Sequence, residues 1–496
     1  MVKQTLDKDL DRIGQIESQG IYAVNSYKAI ALAGLFLLIV WAFSASIITS
    51  GEHSTLIIIA AIIGGYMALN IGANDVANNV GPAVGSRALT MTGALIIAAI
   101  FEAAGAILAG GDVVNTIKKG IIDPSAMESS QIFIWAMIAA LFSAALWVNI
   151  ATWIGAPVST THAVVGGVMG AGIAAAGFSV VSWGTMSAIA ASWVISPVMG
   201  GIIAAIFLAF IKFYIIYQDD KIAAAKRWVP LLVAVMAGVF SAYLIMKGLK
   251  KIWRPDGLTI LFVSLALFAG VYAAVKPIVA KAAIGMENRN KSLRILFTIP
   301  LICSAALLSF AHGANDVANA VGPLAAIVST SASGAIDAKV GIPLWVMAIG
   351  AFGLSAGLFL FGPKLIKTVG EQITKMNPMR AYCVALSAGI TVLVASALGL
   401  PVSSTHIAVG AVFGVGFFRE WDTERRAKKI RSGKQAAKIN PESNLPDEHN
   451  ETSNNRRKKL VRRSHFVTII AAWVITVPCA ALLAGGIFLL ISHFAS

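Results

Sequence analysis

Charge is scarce in this chain: Asp, Glu, Lys and Arg make up 13% of its 496 residues, against 57% hydrophobic, and the mean hydropathy is +0.78. So little charge excludes a soluble globule, which carries about twice that share. Cysteine is nearly absent. Cys303, Cys383 and Cys479 lie in apolar runs with no CxxC spacing, which excludes a disulfide framework and a thiolate metal site. Residues 1–27 lack the apolar core of a cleavable signal peptide, so the first apolar run is expected to stay as a span. Leu6, Leu10 and Ile13 share one helical face, which suits a segment lying on the membrane surface as well as an ordinary solvated helix.

Long apolar runs are what the chain has in excess. They fall roughly at 29–49, 54–71, 88–110, 132–154, 163–178, 183–211, 229–246, 258–280, 295–312, 341–362, 381–400, 407–418 and 466–492. Several reach the ~20 residues a helix needs to cross a bilayer, and others read as half-spans. The expected fold is an all-α polytopic integral membrane protein with about ten to twelve transmembrane helices.

The net charge of +15 would suggest nucleic acid in a soluble protein, but location decides otherwise. Residues 419–463 hold 14 Lys/Arg against 7 Asp/Glu, with an Asn-, Ser- and Pro-rich middle. The 419–465 stretch is therefore expected to be a flexible cytoplasmic loop obeying the positive-inside bias, with no nucleic-acid partner. One span follows it, which places the C-terminus outside the cytoplasm. Lys118, Lys119, Lys367 and Lys375 are read as interfacial, and the repeat-matched Trp193 and Trp473 as packing residues or interfacial anchors.

The chain also repeats itself. GANDVANNVGP at 72–82 returns as GANDVANAVGP at 313–323, and APVSTTHAVVG at 156–166 returns as LPVSSTHIAVG at 400–410. Weaker matches, AGAILAGG with AGLFLFGP and SWVISP with AWVITVP, keep the same order. This is an internal duplication. It divides the chain into a surface segment (1–27), the first span plus repeat 1 (28–212), a connecting region with two spans (213–290), and repeat 2 (291–492) interrupted by the basic loop. Duplicated halves are typical of secondary transporters, with the substrate site between them at mid-membrane. The sequence does not show whether the repeats are inverted.

Polar residues at these depths need a reason. Gly72, Gly81 and Pro82, with their counterparts at 313–323, are expected to interrupt helices, and the Asn-Asp pairs to cap the fragments that follow. Pro157 and Pro401 are expected to open short helices, giving broken or re-entrant hairpins. Helix N-termini attract anions. Here they carry Ser159, Thr160, Thr161 and Ser403, Ser404, Thr405, six hydroxyls fit for a small tetrahedral oxyanion, with no arginine beside them. Asp75 and Asp316, amid Asn74, Asn78, Asn79, Asn315 and Asn319, form oxygen-rich shells suited to a hard cation such as Na⁺. Anion and cation held together imply cotransport. Glu102 has the apolar Leu354 as its counterpart and is a candidate coupling-ion ligand, proton carrier or gate. His162 and His406 end the hydroxyl motifs, as structural donors or as proton or anion contacts in coupling. A nucleophile–base pair or metal-ligand motif is missing, so an enzyme is not expected.

The doubled GANDVANxxGP block, with IFEAAGAILAG, NTIKKGIID and SWVISP, resembles the inorganic phosphate transporter (PiT) family, closer to its sodium-coupled branch. The resemblance implies a Na⁺/phosphate symporter of two inverted repeats in a plasma or bacterial inner membrane, with Na⁺ as coupling ion and no organic cofactor. It implies that Asp75 and Asp316 belong to the sodium sites, with Asn74, Asn78, Asn315 and Asn319 nearby. Ser159, Thr160, Ser403, Ser404 and Thr405 would face phosphate, and Glu102 would match a glutamate required for transport. The chain departs from the family in placing its long hydrophilic loop before the last span. A proton-coupled phosphate or sulfate carrier and a passive anion channel stay open as alternatives, as does a homo-oligomer.

Overall fold

Backbone groups in hydrocarbon must find partners within the chain, so apolar runs of this length fold as helices. The computed structural model describes residues 27–49, 53–154, 158–250, 253–333, 341–368, 376–431 and 463–495. In chain order the helices are α1 (Tyr27–Ile47), α2 (Ser54–Asn74), α3 (Val76–Gly85), α4 (Met91–Ala109), α5 (Gly111–Lys119), α6 (Ser130–Ile154), α7 (Thr160–Ala176) and α8 (Trp183–Ile211). They continue with α9 (Lys221–Tyr243), α10 (Gly257–Ala282), α11 (Asn290–Leu296), α12 (Thr298–Ser333), α13 (Leu344–Thr368), α14 (Pro378–Ala397), α15 (Ser404–Arg431) and α16 (Arg463–Ala495). Among the described residues, 11 helices are long and apolar enough to cross a membrane. The 17 residues of α7 reach only ~25 Å, short of a full crossing.

The GAND blocks do not break their helices as expected. Between α2 and α3 only Asp75 intervenes, with helical dihedrals (φ −81°, ψ −30°) and no capping bond from its side chain. Its counterpart Asp316 lies inside α12, which runs unbroken through Gly313 and Pro323. The glycines serve close helix crossings instead. A Cβ on Gly72 would overlap the Leu354 carbonyl, and one on Gly313 would overlap the Glu102 carbonyl. Equivalent glycines thus press on the two residues that the sequence paired, Leu354 and Glu102. Pro82 and Pro323 are tolerated inside helices because packed neighbours can re-satisfy the freed backbone groups.

The two repeats interlock by exchange. Helix α2 packs on α13 while α12 packs on α4, and α7 packs on α16 while α15 packs on α8. One core surrounds α6 and α7 with α2, α13 and α16; the other surrounds α14 and α15 with α3, α4, α8 and α9; α12 contributes to both. Only 11% of the α1 span and 6% of the α10 span are buried, so these two present apolar surface outward, as lipid-facing helices do.

Helix α15 also departs from expectation. It is not a short segment but continues to Arg431, so residues 419–431 of the basic stretch are helical. The extension is held by Asp422, which is buried, accepts from Lys212 Nζ at 2.7 Å and bonds to the Tyr217 hydroxyl. Arg426 lies 3.2 Å from the Tyr217 ring centroid. Lys212 and Tyr217 belong to the π-helical turn and loop that end α8. Residues 1–26, Pro157, Lys375, the 432–462 part of the basic stretch, and the side chains of Lys119 and Trp473 lie outside the described residues.

Candidate functional site

Helices α7 and α15 begin among buried residues, each from a serine. Ser159, in extended conformation (φ −87°, ψ 120°), accepts from the His162 backbone N–H at 3.2 Å; Ser403 accepts from that of His406 at 3.4 Å. Both serines satisfy an orphan N–H of the first turn. The next residues aim inward. Thr160 Oγ1 donates to Asp75 Oδ2 at 2.8 Å, and Ser404 Oγ donates to Asp316 Oδ2 at 3.1 Å. Each aspartate is therefore bonded to the hydroxyl at the helix start of its own repeat.

Further bonds come in matched pairs, one pair between the repeats and one within them. Asn78 Nδ2 donates to Thr405 Oγ1 at 2.9 Å, and Asn319 Nδ2 donates to Thr161 Oγ1 at 3.0 Å. Asn74 Nδ2 donates to Thr152 on α6 at 2.6 Å, and Asn315 Nδ2 donates to Ser396 on α14 at 2.9 Å. Asn74 and Asn315 thus bind the ends of α6 and α14, while Asn78 and Asn319 join the central hydroxyls. The His162 and His406 rings meet edge to face with centroids 4.9 Å apart, and His162 packs against Trp193 at 3.9 Å. Of the two roles expected for Trp193 the structure shows packing, and its indole N–H donates to the Pro401 carbonyl at 3.0 Å. Lys118 is buried rather than interfacial, since it shares a packed face of α5 with Val114 one turn earlier; Lys367 is exposed.

The symmetry fails in one place. Thr405 Oγ1 gives Asp75 a second hydroxyl, donating to Oδ1 at 3.0 Å. Asp316 is met instead by His312, whose Nε2 lies 2.7 Å from Asp316 Oδ2 and whose Nδ1 lies 3.1 Å from Glu102 Oε1. Glu102 Oε1 also accepts from Asn79 at 2.9 Å. The counterparts of His312, Glu102 and Asn79, each in the opposite repeat, are Ile71, Leu354 and Ala320, all buried and apolar. Glu102 and Asn79 were singled out in the sequence, but His312 was not. The signal lay one residue before the motif, where AHGAND stands against NIGAND.

Ligand atoms of Asp75, His312 and Asp316 all lie within 4.8 Å of one another. Three buried acceptors around them, Asp316 Oδ1, Asn319 Oδ1 and Glu102 Oε2, have no hydrogen-bond partner. Buried oxygens of that kind are costly unless a donor or a cation meets them. The arrangement therefore offers acceptor oxygens for a cation beside two helix N-termini and their hydroxyls for an anion.

Residues 71–484 match the model of the PHO4 phosphate transporter family. The chain is 48% identical over 501 residues to a "Putative phosphate permease" of Helicobacter pylori (strain J99), covering 92% of this chain and 94% of that one. A protein of the same name from Pyrococcus abyssi is 35% identical over 441 residues, covering 87% and 97%. A solved structure titled "The sodium-dependent phosphate transporter" superposes with a TM-score of 0.77 at 33% identity, covering 88% of this chain and 99% of that one. With its doubled GAND motif, its multi-pass helical fold and this match over most of its length, the chain belongs to the phosphate transporter family, a class of membrane transporter and not of enzyme.

Proposed function

We propose that this protein imports inorganic phosphate by symport with a cation, Na⁺, through alternating access between its two repeats. The observation that carries the reading is the shared use of hydroxyls. Thr160, Thr405 and Ser404 point their protons at Asp75 and Asp316. A cation that takes over those carboxylates releases the same hydroxyls to donate to an anion. Each ion thereby lowers the desolvation cost of the other, which couples their binding.

The unpartnered oxygens of Asp316, Asn319 and Glu102 suit a hard cation, and no organic cofactor is part of this scheme. A phosphate still carrying a proton can donate to a carboxylate, and sulfate at neutral pH cannot, so aspartates beside the cradle favour phosphate. Reciprocal packing of α2 with α13 and α12 with α4 supports inverted repeats, each lending its helix start to one site. The charge bias of the basic stretch supports its placement on the cytoplasmic side of a plasma or bacterial inner membrane, and the C-terminus outside.

A proton-coupled reading is favoured by one observation, the placement of His312 between two carboxylates, where an imidazolium fits without a metal. Uptake of labelled phosphate into proteoliposomes separates the two. Concentration of phosphate under an inward Na⁺ gradient alone, with little competition from excess sulfate, is the expected result. Concentration driven by a proton gradient in Na⁺-free buffer would replace Na⁺ with H⁺. Flux that never exceeds equilibrium would mean a passive channel and end the symport reading.

A further inference from the structure

The turn between α14 and α15 is held by side chains from five other elements. Helix α14 closes with Gly399 in the left-handed region (φ 70°), where Leu400 N donates to Ala395 O at 2.9 Å and Gly399 N donates to Ser396 O at 3.0 Å. Four of the carbonyls that follow from Gly399 to Val402 are each met by a side chain from a different helix. Thr116 donates to Gly399 O (2.6 Å), Asn315 to Leu400 O (3.1 Å), Trp193 to Pro401 O (3.0 Å) and Thr161 to Val402 O (3.0 Å). Non-helical chain at membrane depth needs such partners.

A fifth bond differs in kind. Lys247 Nζ donates to the Ala397 carbonyl at 2.7 Å, at the carboxyl end of α14, and to Asp112 Oδ2 at 2.7 Å. Lys247 projects from a π-helical turn, Leu244–Gly248, that follows α9, outside both repeats. Of the five donors it alone carries a full charge, and its side chain is 29% exposed, so water can reach it. An ammonium at a helix C-terminus also meets the negative end of the helix dipole. Asp112 sits in the first turn of α5, one turn ahead of Thr116, which holds Gly399. Lys247, Asp112 and Thr116 therefore clasp the turn from one side.

We propose that Lys247 is a positioning residue for the anion cradle: braced by Asp112, it latches the 397–402 turn and so sets where Ser404 and Thr405 present their hydroxyls. This rests on the phosphate-symport reading above for its transport consequence, though not for the latch itself. Opening the turn breaks the bond to Ala397 while the pair with Asp112 can persist, so one bond biases the turn between held and released.

The test combines hydrogen exchange over residues 396–405 with labelled-phosphate uptake in proteoliposomes of the full chain. Lys247→Met is expected to speed exchange in this segment and to raise the KM for phosphate about tenfold, the effect of losing one charge-assisted hydrogen bond, with uptake at saturating phosphate little changed. Lys247→Arg restores both. Unchanged exchange at 396–405, or exchange raised equally in every helix, overturns the latch. Raised local exchange with an unchanged KM overturns the positioning role. Thr405→Ala is the control for the underlying reading: if it leaves phosphate KM unaltered, the cradle assignment fails, while the exchange data still decide the latch.

Discussion

Asn78 donates to Thr405 at 2.9 Å across 327 residues of sequence, and Thr405 in turn donates to Asp75. One hydroxyl of repeat 2 is thus fixed by an amide and a carboxylate of repeat 1. Its mirror, Asn319 to Thr161, closes the same link in the other direction.

The two aspartates are chemically unequal, because Asp75 is bonded to hydroxyls and Asp316 is paired with His312. Asp75→Asn is expected to abolish cation-driven uptake, since it leaves a neutral amide where the cation needs charge. Asp316→Asn removes a carboxylate from a triad that keeps Glu102 and His312, and is expected to shift apparent cation affinity at least tenfold with residual uptake. Sodium titrations of phosphate uptake for both variants check this. Identical losses would mean that the asymmetry has no role.

Glu102 and His312 form a buried pair with 0% side-chain exposure, and their counterparts in the opposite repeats are the apolar Leu354 and Ile71. Removing one partner of such a pair costs about 3–5 kcal/mol, whereas replacing both by packed apolar groups is often neutral. His312→Ile, which leaves Glu102 and Asp316 facing each other, is therefore expected to unfold at markedly lower temperature than the wild type. The double variant Glu102→Leu, His312→Ile is expected to recover part of that stability, the remainder being lost because Asp316 stays buried without its imidazole. Thermal unfolding in detergent, run as a double-mutant cycle, measures the coupling.

Gly72 lies against the Leu354 carbonyl so closely that a methyl group cannot fit without separating α2 from α13. Gly72→Ala is expected to cost about 1–3 kcal/mol or to prevent folding, as overpacking does. Gly111, whose added Cβ would meet nothing within 4 Å, is the control and its alanine variant should behave as wild type. Yield and melting temperature after size-exclusion chromatography decide between them.

Asp422 lies beyond the membrane spans. Burial pushes its carboxyl upward, but hydrogen bonds from Lys212 and Tyr217 and the charges of Lys212 and Arg426 outweigh burial and hold it below its ordinary value. A depressed native pKa contributes stability that is fully present above the unfolded value, about 3.9, and is lost as pH falls through the native one. Asp422→Asn is therefore expected to melt lower than wild type at neutral pH, with the gap narrowing below about pH 4. A gap independent of pH would mean that the carboxylate charge does not secure the end of α15.

Much of this molecule was legible in its sequence. Trp183–Ile211 reads directly as a span, the doubled motifs name Asp75, Asp316 and the central hydroxyls, and Leu354 was matched to Glu102 by repeat spacing alone. These are properties of local composition and of duplication: an apolar run long enough for a bilayer must become a helix, and a repeated segment must carry repeated chemistry. Tertiary structure decided the rest. That α12 passes unbroken through Gly313 and Pro323, that His312 reaches Glu102, and that Lys247 and four other donors hold the 397–402 turn all depend on side chains brought together from distant parts of the chain. Periodicity shows which face of a helix is buried. Only packing decides which neighbour supplies the hydrogen-bond partner that a buried polar group requires.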